Sequence, residues 1–310
     1  MLIPTLLTAQ AGGYAGSFSR LGFGPRGMAM GNAMTSVATE GIYAYYNPAF
    51  AALAFDSRQV DLSTSLMSFD RSLHKLNGAV PIPPSAGLSV TIINASVSGI
   101  DGRTNSGYHT EMLSTNEYQF TSTFGIRFTN KLQGGLSIKY YLADYHDALE
   151  STPSFGFDAG LLYHATNKLH VGLAIKDLLA EYNWNSGAVY GEESSPSSTD
   201  RFPLQVRIGA SYSITEELLI SAEPGVLLPP EAAPVGQLRT GARYRLHELL
   251  TVRGGWQITD LNAVRVSHHG SAGFSIHLPF DILSPSVDYA FVPEPGHISS
   301  MHVFGLQLNL

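Results

Sequence analysis

Phe202-Pro203-Leu204-Gln205-Val206-Arg207-Ile208-Gly209-Ala210-Ser211-Tyr212-Ser213 is the stretch that decides the fold. Phe202, Leu204, Val206, Ile208, Ala210 and Tyr212 share one parity; Pro203, Gln205, Arg207, Gly209, Ser211 and Ser213 share the other. Successive side chains of a strand point to opposite faces, so this segment reads as one strand with an apolar medium on one side and a polar one on the other.

The pattern recurs at Tyr118-Phe120-Ser122-Phe124-Ile126-Phe128, Leu136-Ile138-Tyr140-Leu142, Phe155-Phe157-Ala159-Leu161-Tyr163, Leu169-Val171-Leu173-Ile175 and Leu238-Thr240-Ala242-Tyr244-Leu246. Strands are predicted over 59–68, 72–81, 85–97, 118–129, 132–144, 154–165, 168–177, 202–213, 217–227, 236–246, 249–258, 271–278, 284–292 and 300–310, an even total of fourteen. Most are close to the roughly 9–11 residues that a tilted strand needs to cross a bilayer. The links sort by length. Tight ones at Thr129-Asn130-Lys131, 165–168, Ile214-Thr215-Glu216, His247-Glu248 and Pro279-Phe280-Asp281 alternate with long ones near 98–117, 145–153, 178–201, 228–235, 259–270 and 293–299. Short turns on one rim and long loops on the other are the layout of a transmembrane barrel. The predicted fold class is therefore all-β, a transmembrane antiparallel β-barrel of about 14 strands.

Composition agrees with that reading. Only 14% of the 310 residues are charged, where soluble domains carry about 25%. Mean hydropathy is only +0.04, and no run approaches the roughly 20 apolar residues of a spanning helix. Strands cross lipid only as a closed ring, because lipid offers backbone amides no partner. A net charge of −7 lacks the basic footprint of a nucleic-acid binder. The absence of cysteine excludes disulfides and thiolate chemistry. Residues 1–11 read as a remnant of a signal peptide ending at Ala9-Gln10-Ala11, or as a frayed apolar terminus.

Residues 12–57 differ from the barrel segment 58–310: they are rich in Gly and small residues, with scattered Met and aromatics. Two stretches stand out there, Leu21-Gly22-Phe23-Gly24-Pro25-Arg26-Gly27-Met28-Ala29-Met30-Gly31-Asn32-Ala33 and Tyr43-Ala44-Tyr45-Tyr46-Asn47-Pro48-Ala49. Together they resemble the N-terminal region of the FadL-like outer-membrane barrels, and most of all their PorV/PorQ branch. Val171–Leu178, Phe202–Tyr212 and Asp288-Tyr289-Ala290-Phe291-Val292-Pro293 resemble further segments of that branch in the expected order. The usual Gly after the Asn-Pro-Ala motif is Phe50 here.

The resemblance implies an N-terminal hatch folded into the lumen of a bacterial outer-membrane barrel, with Arg26, Gly27, Gly31, Asn47, Pro48 and Ala49 as its structural motif. It also implies type IX secretion, with secretion-system components and the C-terminal domains of exported cargo as partners alongside membrane lipids. The alternative is passive transport of hydrophobic small molecules, with ligand or detergent in the lumen. Asn47-Pro48 reads as a turn that closes a short hatch helix near 35–46, since Pro fixes φ and drives the preceding residue from the helical region.

No G-x-S-x-G, P-loop or H-E-x-x-H motif occurs, so no catalytic residues, metal ligands or cofactor are assigned. His268-His269 is expected in an outer loop, and Asp177, Glu181, Glu192, Glu193 and Asp200 in a solvated acidic one. With the apolar parity facing lipid, Arg127, Lys139, Lys176, Arg207, Arg243 and Arg253 face the lumen, with Asp158 and Glu223 as counter-charges. These charges are expected to anchor the hatch or attract an anionic group. Pro81, Pro83 and Pro84 fall where a strand kink or a turn would interrupt the second and third strands.

Overall fold

The computed structural model describes residues 13–55, 57–146, 149–185, 198–262, 267–278, 284–294 and 299–310. The predicted signal remnant, Glu192 and Glu193 and the Pro279-Phe280-Asp281 turn lie outside them.

Seventeen strands are described: β1 (Gln59–Met67), β2 (Arg71–Ile82), β3 (Ala86–Arg103), β4 (His109–Arg127), β5 (Leu132–Asp144), β6 (Glu150–Thr152), β7 (Ser154–His164), β8 (Leu169–Leu178), β9 (Glu181–Asn185), β10 (Ser198–Arg201), β11 (Leu204–Ser213), β12 (Leu218–Leu228), β13 (Val235–His247), β14 (Leu250–Asp260), β15 (Ser267–His277), β16 (Ser286–Pro293) and β17 (Ser300–Asn309). Fourteen of them form one closed antiparallel barrel, with β1 hydrogen-bonded to β17; β6, β9 and β10 make a separate three-stranded sheet within the long-loop rim. All fourteen predicted strands are present in this ring.

The alternation has the expected cause. Along β1 the burial runs buried, exposed, buried, exposed. On the outer face Leu136 and Ile208 are 66% and 53% exposed, and Phe124, Phe155, Val287 and Phe304 point outward beside them. The inner face carries Gln, Ser, Thr, Lys, Asp and Gly. Such an outer belt of apolar side chains is stable only against lipid, since a monomer in water rarely exposes a contiguous apolar patch beyond a few hundred Å².

Two features differ from the sequence-based expectation. The predicted loop 98–117 is mostly strand, because β3 and β4 run on to Arg103 and His109. Register shifts at Val97/Ile100 and Asp101/Arg103 break the period of two there, and Gly99 takes φ 67°, as a bulge requires. The His268-His269 pair lies in β15 and not in a loop: His268 stacks on Trp256 at 5.1 Å, and His269 is buried.

Pro81, Pro83 and Pro84 cause no kink. β2 and β3 pair without interruption from Arg71 opposite Val97 to Ile82 opposite Ala86, and Pro83-Pro84 forms the turn between them.

Candidate functional site

Residues 13–55 run down inside the barrel before the chain enters β1, and between Phe23 and Ala54 nearly every side chain is buried. Their local structure is set by a few residues. Pro25 opens the helix α1 (Pro25–Ala29) at its first position, where a missing N–H costs nothing. Gly31 ends it with φ 59°, and a Cβ there would lie 2.8 Å from the backbone N of Trp256. Only glycine meets both demands.

The helix predicted near 35–46 is not formed. A short 3-10 helix, Pro48–Phe55, begins where that helix was expected to end. Asn47 starts it: its Oδ1 accepts the Ala49 N–H at 3.0 Å, a helix-capping bond, and Pro48 follows in a first-turn position. The Asn47 amide donates to the Thr35 and Leu161 carbonyls, tying plug to plug and plug to wall. Residues 35–46 have no helical ladder because wall side chains take their backbone groups. Glu223 accepts from Thr35 N at 2.8 Å, Ser211 donates to Ser36 O, and Gln59 accepts from Ile42 N.

The wall makes room for this segment with glycine. A Cβ on Gly135 or Gly160 would sit within 2.2 Å of Pro48 O or Asn47 Oδ1, one on Gly172 within 2.0 Å of Thr35 O, and one on Gly255 within 2.0 Å of Gly31 N. Several of these glycines are cross-strand partners, such as Gly125 with Gly135, Gly135 with Gly160, and Gly241 with Gly255. They form an in-register groove in which the plug backbone lies directly on the wall. Gly27 works from the plug side, where a Cβ would strike the Tyr46 ring.

Charge completes the interface. Arg26 Nε reaches both Asp288 oxygens at 3.1 Å, and its other nitrogens donate to Glu40 O and Ser286 Oγ. Glu40 in turn takes Arg253 at 2.6 Å and Arg243 at 3.6 Å. Burial alone would raise the Glu40 carboxyl, but Arg253, Arg26 and Arg243 outweigh it and hold the group below the ordinary carboxylate range. Glu223 pairs with Arg207 and Arg239, Lys75 with Asp61, and Lys139 with Asp158 and Asp177, both at 2.7 Å. Lys176 donates to the Tyr45 carbonyl at 2.7 Å.

Of the eight sequence-predicted lumen charges, Lys139, Asp158, Lys176, Arg207, Glu223 and Arg253 are buried inside. Arg127 and Arg243 are only half-buried; the Arg127 guanidinium sits 3.3 Å from the centre of the Phe55 ring. Asp177 is not part of a solvated loop. It is buried, in a left-handed conformation with φ 64°, and accepts from Lys139, Tyr141 and Gln205. Asp61, Lys75, Arg239 and Asp288 were missed, although each sits on the inward parity of its strand. Glu40 carries no such signal, because its segment has no period.

Above the plug the lumen changes character. Phe18, Tyr141, Tyr182 and Phe202 pack with ring centroids 4.8 to 6.5 Å apart. Phe202 was expected on the lipid-facing row; it turns inward before β11 begins, and its amide donates to Ala180 O. Over this cluster opens a cavity of about 700 Å³, lined by Tyr14, Tyr145, Tyr182, Trp184, Asp200 and Glu231 among others. Tyr145 and Trp184 stack at 5.1 Å, Trp184 Nε1 donates to Asp200 at 2.8 Å, and Tyr182 OH donates to Glu117 at 3.0 Å. Within the plug itself, the cavity beside Tyr45 and Tyr46 holds about 10 Å³, room for one water.

The described residues form a closed fourteen-stranded antiparallel barrel with an N-terminal segment packed in its lumen, a fold shared with a FadL homologue of known structure. No family model and no curated protein matches the chain. Among solved structures it is similar to the toluene transporter TodX of Pseudomonas putida, at 14% identity and TM-score 0.64 over 93% of this chain and 97% of that one. The toluene transporter TbuX of Ralstonia pickettii gives 14% identity and TM-score 0.64 over 94% and 98%. A FadL homologue of Pseudomonas aeruginosa gives 14% and 0.63 over 92% and 97%. At such identities the likeness is one of fold.

Proposed function

We propose that the protein is an outer-membrane channel for hydrophobic small molecules, which bind first in the aromatic cavity above the plug. The observation that carries this reading is the cavity itself: about 700 Å³ at the loop end of the barrel, lined by Tyr14, Tyr145, Tyr182 and Trp184, with Tyr182 also packed against Tyr141 and Phe202. Its size and its mix of aromatic walls with a few polar groups suit a small-molecule site. The named functions of TodX and TbuX, both toluene transporters, support the same reading. The secretion-associated role implied by the PorV/PorQ resemblance rests on the sequence motifs alone.

Below the cavity the buried plug lies directly on the wall, so passage requires a side of the plug to move from it. The barrel wall stays fixed, while residues 23–55 of the plug act as a gate held by the glycine groove and the buried ion pairs. Uptake of a radiolabelled hydrophobic probe by cells whose outer membrane limits entry tests the proposal. Expression of the protein should raise the uptake rate, and Tyr182→Ala with Trp184→Ala should remove most of the gain. Equal uptake with and without the protein would refute it.

A further inference from the structure

The chemistry of the cavity narrows the class of molecule beyond "hydrophobic", an inference that rests on the channel reading above. Its walls are the rings of Tyr14, Tyr145, Tyr182 and Trp184, and its carboxylates are Asp200 and Glu231. Glu117 lies behind the Tyr182 hydroxyl. Two cations lie nearby among the described residues, and both have partners. Arg201 lines the cavity but pairs with Glu181 at 3.4 Å, and Arg20, below it, donates to the carbonyls of Tyr14, Ala15 and Gly16. Burial and Glu117 push the Tyr145 and Tyr182 phenols up, so both rings stay neutral.

Neutral electron-rich faces attract an ammonium group through their quadrupoles, and nearby carboxylates without a free cation add to the attraction. The same carboxylates repel a fatty-acid head group, for which the cavity lining among the described residues offers only Arg201, beside Asp200 and paired with Glu181. Asp200 is fixed at the edge of the Trp184 indole by its hydrogen bond, which sets a negative charge beside an aromatic face. We propose that the cavity selects cationic amphiphiles: molecules with an apolar or aromatic body and an amine or quaternary ammonium head.

The chain has two tryptophans, Trp184 in the cavity and Trp256 on the lipid-facing surface, so Trp256→Phe leaves Trp184 as the sole reporter. This variant, in nanodiscs of zwitterionic lipid, is titrated at pH 7 with 4-phenylbutylamine, 4-phenylbutanol and 4-phenylbutyrate while Trp184 fluorescence is followed. The amine is expected to bind about tenfold tighter than the alcohol, with the carboxylate weakest. Adding Asp200→Asn and Glu231→Gln should bring the amine to about the affinity of the alcohol. Saturable binding of the alcohol as tight as that of the amine would overturn the cation selectivity and leave the channel reading intact. No saturable change with any of the three would overturn both.

Discussion

The inner and outer halves of the lumen solve opposite problems with similar residues. In the inner half, glycine lets the plug backbone reach the wall, Arg26, Glu40, Arg253, Glu223, Lys139 and Lys176 each have a partner of opposite charge or a carbonyl, and the cavity beside Tyr45 and Tyr46 has room for about one water. In the outer half, aromatic rings and carboxylates surround about 700 Å³ of open volume. A charge that has a partner and no water fixes structure, whereas one at the edge of an open aromatic cavity is free to recognise a ligand. The plug interface is therefore expected to respond to single substitutions mainly in stability and closure, and the cavity mainly in binding.

The largest effect is expected at Glu40. Glu40→Gln leaves Arg253 and Arg243 facing a neutral group, and breaking such a network costs about 3–5 kcal/mol. Protease protection of residues 23–55 should fall and bilayer conductance should rise, with cavity binding little changed.

Next comes the groove. Gly160→Val drives a side chain into Asn47 and Pro48, an overpacking cost of about 1–3 kcal/mol. Gly78→Val is the matched control, since nothing lies within 4 Å of a Cβ there; thermal unfolding in detergent should separate the two variants. Equal melting temperatures would break the contrast drawn here.

Acid should loosen the plug only at low pH. The Glu40 carboxyl titrates below its ordinary value of 4.5 in the folded protein, so its stabilisation is fully present above that value and is lost as pH falls through the lower folded one. Plug protection should be flat from pH 7 to about 5 and decline only below about 4.5. The smallest effect is expected from Tyr182→Phe, which removes the hydroxyl bonded to Glu117 at a cost of about 1 kcal/mol. It should alter ligand affinity and leave plug protection unchanged.

The barrel was legible in the sequence because one physical constraint, lipid outside and polar groups inside, is repeated at every second residue of every wall strand. Where bulges disturb that period, as at Gly99, the strand extensions were lost from view. The plug was legible as a segment but not in its path. Its 3-10 helix follows Asn47-Pro48 because Asn47 caps it, and residues 35–46 stay irregular because wall side chains far away in sequence take their amides and carbonyls. Asp177 was misread for the same reason: its partners Lys139, Tyr141 and Gln205 lie on two other strands.

The central claim is that molecules held in the cavity pass only when the plug leaves the wall. The chain contains no cysteine, so a lock can be introduced cleanly. A Cβ at Gly209 would lie 3.3 Å from the Cβ of Thr35, close to the roughly 3.5–4.5 Å of a disulfide. Uptake of the labelled hydrophobic probe is measured for Thr35→Cys/Gly209→Cys under oxidising and reducing conditions. The account predicts unchanged cavity binding in both states, with uptake stopped when oxidised and restored on reduction. Equal uptake in the two states, with the disulfide verified, would contradict it.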